Sequence, residues 1–137
     1  MINVTAAIIL HNNCVLAARR ASHKHMGGYW EFPGGKIELG ETPEESLARE
    51  LQEELGITVR VGEHFYSNQH SYGDNQIMLM AYFCTWGAGE LILNDHDAIQ
   101  WCSVLEIASL NWAPADIPIV HALQIAMASI DRSPHTP

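Results

Sequence analysis

The stretch TPEESLARELQEELG, residues 42–56, constrains the fold more than any other part of the chain. Thr42 is followed by a proline and, three positions on, by Glu45, which is the pattern of a capping box with proline in the first helical turn. Gly56 supplies a C-terminal stop, because glycine readily adopts the left-handed conformation in which many helices end. We therefore predict a helix over residues 43–55, with leucines at every fourth position forming an apolar stripe.

The same helix carries three carboxylates beside that stripe. At about 3.6 residues per turn, Glu50, Glu53 and Glu54 fall on one face. Each like-charge pair costs about 0.2–0.5 kcal/mol, so a compensating partner is expected. One interpretation is a solvated acidic face, in which Arg49 pairs with glutamates one turn away. The other is a site for a hard divalent cation, because Mg²⁺ and Mn²⁺ prefer oxygen ligands and bind jointly to phosphates.

The rest of the chain predicts an α+β domain with a mixed sheet. Apolar and β-branched stretches bounded by turn residues predict strands, whereas the last apolar stretch has helical spacing. The predicted strands are 2–10, 14–18, 58–66, 77–86 and about 98–104, and the second helix is 117–130. A basic segment at 19–28 is predicted to be a loop over a ligand. One domain is expected at residues 1–131, followed by a disordered tail at 132–137.

Composition limits the partners. The formal net charge is −9, which argues against an extended nucleic-acid polymer on the surface but leaves a small anion held through metal open. The three cysteines form no CxxC pair, so neither a disulfide framework nor a zinc site is indicated, and a reduced cytoplasm is the expected location. The apolar run at 4–10 is too short to span a bilayer, so no membrane partner is expected.

A resemblance decides between the two interpretations of the acidic helix. Residues 35–57 read GKIELGETPEESLARELQEELGI and match every position of the pattern Gx5Ex7REUxEExGU, where U is a bulky aliphatic residue. This pattern is the signature of the Nudix hydrolases, and its many restricted positions make it specific. The segment RRASHKHMGGYWEFPGGK is similar to the MutT branch of the family, and WCS followed by APADIP is similar to the branch of CTP pyrophosphohydrolases.

The resemblance implies a fold, a reaction and a metal. The fold is an α/β/α sandwich with a mixed sheet. The reaction is hydrolysis of a nucleoside triphosphate to the monophosphate and pyrophosphate, with Mg²⁺ as cofactor and Mn²⁺ as the alternative ion. By the same resemblance, the metal ligands are Glu50, Glu53, Glu54 and the backbone carbonyl of Gly34. Arg49 would orient the carboxylates.

The implied catalytic base is Glu50, with Asp95 as the second candidate. Asp95 stands where relatives have a glutamate that reaches the metals from a loop. Its shorter side chain leaves an alternative open, in which NDHD is only a polar turn.

The implied substrate site joins distant parts of the chain. Its members are Arg20, His25, Glu31, Phe32, Pro33, Gly34 and Asp116. Arg20 is expected to contact phosphate because its guanidinium is charged and forked. Asp116 aligns with an asparagine that reads the base in the MutT branch, and an ionised carboxylate only accepts hydrogen bonds, which favours cytosine with its exocyclic amine. The alternative role for Asp116 is a cap of the last helix.

The predicted function is a Mg²⁺-dependent nucleoside triphosphate pyrophosphohydrolase that acts on cytosine or modified nucleotides and cleanses the nucleotide pool. The alternatives are an 8-oxo-dGTP diphosphatase of the MutT type, or a non-catalytic nucleotide-binding sensor, which an incomplete carboxylate set would favour. A monomer or a homodimer is expected.

Overall fold

A mixed sheet runs through the centre of the computed structural model, which describes residues 1–131. Its strands are β1 (Ile2–His11), β2 (Cys14–Arg20), β3 (Trp30–Glu31), β4 (Gly34–Lys36), β5 (Thr58–Tyr72), β6 (Asn75–Ala88) and β7 (His96–Cys102). The helices are α1 (Pro43–Leu55) and α2 (Ile117–Asp131), with short 3₁₀ turns at Ile107–Ser109 and Pro114–Asp116. The tail predicted at 132–137 lies outside the described residues.

The strand pairing confirms the mixed sheet. The order is β3-β2-β1-β6-β5, with β4 also paired to β1 and β7 to β2. β1 and β6 pair in parallel, whereas the other strand pairs among the described residues are antiparallel. The short strands β3 and β4, which the sequence did not predict, lie on either side of Phe32 and Pro33.

The central strand β1 is covered on both faces, because successive side chains of a strand point in opposite directions. One core cluster joins alternate β1 residues to α2 and includes Ala6, Ile8, Ile119, Val120 and Leu123. The other cluster joins the intervening residues to α1 and includes Ala7, Ile9, Leu47, Leu51 and Leu55. The α+β class and the α/β/α sandwich are therefore confirmed.

Helix α1 has the predicted bounds and the predicted cap. The Thr42 hydroxyl accepts a hydrogen bond from the Glu45 N–H at 3.1 Å, and the Glu45 carboxylate accepts one from the Thr42 N–H at 2.9 Å. Gly56 ends the helix at φ 69°, in the left-handed region. These contacts fix the rotation of α1 and hence the direction of its carboxylates.

Several predicted strand boundaries were wrong, and β7 spans His96–Cys102 instead of about 98–104. β5 and β6 continue through the polar residues 67–71 and 75–76 up to a tight turn at Gly73, because backbone pairing along a hairpin does not require apolar side chains. Arg20 is the last residue of β2 and not part of the basic loop, since its backbone pairs with His96 of β7. This pairing fixes the backbone of Arg20 and thus the position from which its side chain extends.

The described residues contain no disulfide, and Cys14, Cys84 and Cys102 are free thiols. Burial raises the pKa of Cys84 to about 12 and that of Cys102 to about 11, so both resist ionisation. Within residues 1–131, no helix has the length and apolar character needed to cross a bilayer.

Replacing Thr42 with alanine should lower the free energy of unfolding by about 1 kcal/mol, because the variant loses the hydroxyl that caps the Glu45 N–H. Urea denaturation would measure the loss. Thr42→Ser, which keeps the hydroxyl, should retain most of the stability. Equal losses in the two variants would show that the threonine methyl, and not the cap, stabilises the helix.

Candidate active site

One cavity of about 340 Å³ gathers most of the predicted substrate residues. Its volume lies in the usual range for small-molecule sites. The predicted residues on its wall are Arg20, His25, Glu31, Phe32, Gly34 and Asp116. Apolar side chains from β1 and β6 form another part of the wall, including Ile2, Val4, Ile77 and Leu79. Pro33 is not among the lining residues; it is buried, and its carbonyl accepts a hydrogen bond from the Ala7 N–H at 2.7 Å.

Asp116 lies buried in the wall of this cavity, as the last residue of the 3₁₀ turn before α2. Its Oδ2 accepts a hydrogen bond from the Phe32 N–H at 2.9 Å. Within residues 1–131, no hydrogen bond joins its carboxylate to the first turn of α2, so the alternative of a helix cap is not supported. Burial, reinforced by the negative charge of Glu31, raises the pKa of Asp116 well above its usual range.

Phe32 lines the cavity and packs face to face on Trp112 at 4.6 Å between ring centroids. Tyr66 is exposed on β5. Sequence reasoning missed Tyr72, which also lines the cavity and whose hydroxyl accepts a hydrogen bond from the Ala115 N–H at 3.3 Å. The only sequence signal for Tyr72 was its place at the start of the YGDN turn.

Glu31 stands between the two acidic parts of the site. Its Oε2 is 2.8 Å from Nε2 of His96, and both of its oxygens are 3.4 Å from Nη1 of Arg20. Its negative charge contributes to the raised pKa of Asp116 and of Glu54. The cavity and the acidic face of α1 therefore form one electrostatic unit.

Arg49 is the hub of that acidic face. It binds Glu41 through two hydrogen bonds of 2.7 and 3.0 Å, and it donates to Glu50 at 3.0 Å and to Glu53 at 3.1 Å. Of the two glutamates one turn away from Arg49, Glu53 pairs with it, as the interpretation of a solvated face requires. Glu45 does not, because its carboxylate is engaged in the helix cap. Hydrogen bonds from Arg49 lower the pKa of Glu41, which anchors the loop before the helix.

The three carboxylates of α1 differ in environment although they share a face. The Glu53 side chain is 61% exposed, whereas that of Glu50 is 16% exposed and Glu54 is buried. Burial raises the pKa of Glu50, with Arg49 opposing the shift, and raises the pKa of Glu54 to about 9. Oε2 of Glu54 is buried without a hydrogen-bond partner.

The glycines of β4 leave space for a carboxylate of α1 beside the cavity. A Cβ at Gly35 would collide with the Glu50 carboxylate, and one at Gly34 would collide with the backbone of Thr5. Both glycines line the cavity. The absence of side chains there is what lets Glu50 lie against the cavity wall.

Asp95 lies close to the same helix end. Asn94 ties the loop to α1, because its side chain donates to the Glu53 carbonyl at 2.7 Å and its N–H to the Glu54 carbonyl at 3.3 Å. The Asp95 carboxylate pairs with Lys24 at 3.0 Å and contributes to the raised pKa of Glu54. Asp95 thus lies in a polar turn and is also close to the acidic face of α1.

The donor set fits a divalent cation. Oxygen atoms of three carboxylates lie on one helix face, and the unpartnered oxygen of Glu54 with its raised pKa is the kind of group that a bound cation relieves. Among the side chains that the structure describes, no three acidic, histidine or cysteine residues are gathered tightly enough to enclose an ion, and Arg49 donates hydrogen bonds to Glu50 and Glu53.

The comparisons with known proteins define the family. The model of the NUDIX domain matches residues 1–123, and the chain belongs to this family. It is 40% identical to the CTP pyrophosphohydrolase of Escherichia coli K12 over 94% of this chain and 96% of the relative. It is 36% identical to the 8-oxo-dGTP diphosphatase of the same organism over 82% and 88% of the two chains.

A solved structure agrees with this family assignment. The solution structure of the E. coli ORF135 protein superimposes with a TM-score of 0.81 at 39% identity, covering 99% of this chain and 95% of that one. The chain is therefore a Nudix hydrolase, and Nudix hydrolases generally require a divalent metal and act on small nucleotide substrates. The alternative of a non-catalytic sensor is not supported.

The pKa of Glu54 predicts how stability depends on pH without metal. The folded protein keeps the Glu54 proton up to about pH 9, whereas the unfolded chain releases it near pH 4.5. The part of the free energy of unfolding that comes from this pKa difference is therefore complete below about pH 4.5. It is lost as the pH rises toward 9, by at most about 1.4 kcal/mol per pH unit. Glu54→Gln, which cannot ionise, should remove this loss.

Urea unfolding in EDTA between about pH 5 and pH 8.5 would measure the effect as a stability difference between variant and wild type that widens with pH. Glu53→Gln serves as the control, because it neutralises an exposed carboxylate on the same helix. A difference between Glu54→Gln and wild type that stays constant over this range would contradict the assignment.

Proposed function

We propose that this protein hydrolyses nucleoside triphosphates to monophosphates and pyrophosphate, with cytosine nucleotides as the preferred substrates and nucleotide-pool cleansing as the role. The observation that carries the proposal is a cavity lined by the buried carboxylate of Asp116 and by Gly35, against which the Glu50 carboxylate lies. The base would lie toward Asp116 and the phosphates toward α1.

The phosphate end requires positive charge, because the Glu50 carboxylate of α1 lies against its Gly35 wall. Glu50, Glu53, Glu54 and the Gly34 carbonyl would hold Mg²⁺, with Mn²⁺ as the alternative ion. Such an ion neutralises phosphate charge and lowers the pKa of a bound water. Arg20 lies on the cavity wall with a guanidinium suited to phosphate oxygens.

Proton removal from the attacking water falls to Glu50 in this proposal. Burial raises the pKa of Glu50, and a carboxylate with a raised pKa is a stronger base. Asp95 is the second candidate, since it lies beside the same helix end but is engaged with Lys24. Arg49 orients Glu50 and Glu53 through its hydrogen bonds.

Base selection rests on Asp116. When the Asp116 carboxylate is ionised, it accepts a hydrogen bond from the exocyclic amine of cytosine, the base preferred in this proposal. A specific observation favours a second candidate, an 8-oxo-dGTP diphosphatase. Burial raises the pKa of Asp116, and a protonated carboxyl both donates and accepts, as the edge of an oxidised guanine requires.

The setting proposed for this reaction is the cytoplasm, with residues 1–131 acting as one domain, either as a monomer or as a homodimer. Three free thiols support a reducing compartment. The net charge of −9 supports a small nucleotide over a nucleic-acid polymer as the substrate.

Pyrophosphate release with Mg²⁺ should be fastest for CTP or 5-methyl-dCTP in a panel that also contains 8-oxo-dGTP, dGTP and ADP-ribose. Asp116→Asn should lower kcat/KM for CTP by about 10- to 100-fold relative to 8-oxo-dGTP, because the amide presents a donor where cytosine also has one. Fastest turnover of 8-oxo-dGTP by the wild type would instead establish the second candidate.

The metal-binding roles have their own test. Glu53→Gln should lower the rate on the best substrate by at least about 100-fold, because a ligand of the cation is lost. Glu44→Gln is the matched control, since Glu44 is exposed in the first turn of the same helix, away from this face. An active Glu53→Gln enzyme would remove Glu53 from the proposed ligands.

A further inference from the structure

His96 is a buried side chain that the proposed reaction does not use. It is the first residue of β7, and its side chain is 1% exposed. Nε2 lies 2.8 Å from Oε2 of Glu31, whereas Nδ1 is buried and has no hydrogen-bond partner among residues 1–131. A buried imidazole with one polar contact is tied in its orientation to that contact.

The contact determines which nitrogen carries the proton. A carboxylate accepts hydrogen bonds, so Nε2 of His96 must donate to Glu31. Nδ1 has no acceptor facing it in the described part of the chain, so a proton there would be buried without a partner at a cost of about 1–3 kcal/mol. His96 is therefore a fixed donor toward Glu31.

Arg20 is the competing donor to Glu31, and it is held at a distance. Its Nη1 is 3.4 Å from both carboxylate oxygens, while its Nε donates to the His25 carbonyl at 2.7 Å. Arginine–carboxylate hydrogen bonds are normally about 2.7–2.9 Å long. The same molecule shows a closed pair, because Arg49 binds Glu41 at 2.7 and 3.0 Å.

We propose that His96 is a positioning residue that holds the Glu31 carboxylate and so keeps the Arg20 guanidinium free for a substrate phosphate. Without the Nε2 donor, Glu31 would turn to Arg20 and form a closed pair like that of Arg49 with Glu41. Arg20 would then present fewer donors to the cavity that it lines. This inference rests on the proposed function in one respect, namely that a nucleotide binds in this cavity.

Three variants test the idea. His96→Met removes the donor at similar volume and should raise KM for the best nucleoside triphosphate, and Kd for CMP without metal, by about 10-fold while kcat changes less. His96→Gln, whose amide nitrogen can occupy the Nε2 position, should recover most of the affinity. His121→Met is the control, because His121 is exposed on α2 and lies outside this cavity.

A double-mutant cycle separates positioning from packing. In a Glu31→Gln background there is no carboxylate to close on Arg20, so His96→Met should change CMP affinity by less than about 2-fold. The inference is overturned by a wild-type affinity in His96→Met, by an equal loss in the Glu31→Gln background, or by a His96→Gln variant no better than His96→Met.

A measurement on the wild type covers the case in which His96→Met does not fold. The ¹⁵N chemical shifts of the His96 imidazole, assigned by comparison with His96→Gln, should show the proton on Nε2. A proton on Nδ1 alone would overturn the inference. If the wild type hydrolyses no nucleoside triphosphate, the proposed function fails, whereas the CMP affinities and the imidazole shifts still decide the role of His96.

Discussion

The ion pair of Arg49 with Glu41 is the contact on which the candidate site depends. Two hydrogen bonds fix the guanidinium against the loop before α1, and a third reaches the Lys36 carbonyl of β4 at 3.3 Å. The remaining donors reach Glu50 and Glu53. The Arg49 guanidinium thus joins the loop, strand β4 and helix α1, and its positive charge offsets part of the repulsion among the carboxylates. Glu54 receives no contact from Arg49, which leaves its oxygen available for another cation.

The acidic groups around the cavity act on one another. Glu31 raises the pKa of both Asp116 and Glu54, and Glu50 and Asp95 add to the shift at Glu54. In the proposed function, a divalent cation at the acidic face of α1 would oppose the repulsion from Glu31 that raises the pKa of Glu54, and the same Glu31 charge acts on Asp116. The proposed metal site and the proposed base-reading end therefore share Glu31 as a neighbour.

Much of the local structure followed from the sequence, because it depends on neighbouring residues. The cap at Thr42, the stop at Gly56 and the asparagine turn between β1 and β2 are properties of a few adjacent positions. The ends of β5 and β6 were missed, since pairing along their hairpin extends through polar residues that carry no periodic signal. The strand order was not predicted, because no local pattern in the residues encodes it, and the structure supplied it.

The candidate site was less accessible to sequence reasoning. Helical spacing placed Glu53 and Glu54 on one face, yet the Glu53 side chain is exposed and Glu54 is buried, a difference that the spacing does not encode. The bond between Asp116 and Phe32 joins residues 84 positions apart, and that between His96 and Glu31 joins residues 65 apart. No local pattern encodes such contacts. The resemblance supplied Asp116, whereas His96 was found only in the structure.

The parallel pairing of β1 with β6 has a consequence for the way the chain is made. Ile2 lies beside Ile77, and Asp116 lines the cavity, so β1 can pair early with β2 and β4 but gains its parallel neighbour β6 only after residues 75–88 have left the ribosome. Pairing over such separations is slow compared with local hairpins and helices. Helix α1, with its cap and stop, can form early, but its carboxylates then face solvent. During synthesis the cavity is therefore incomplete until Asp116 has left the ribosome.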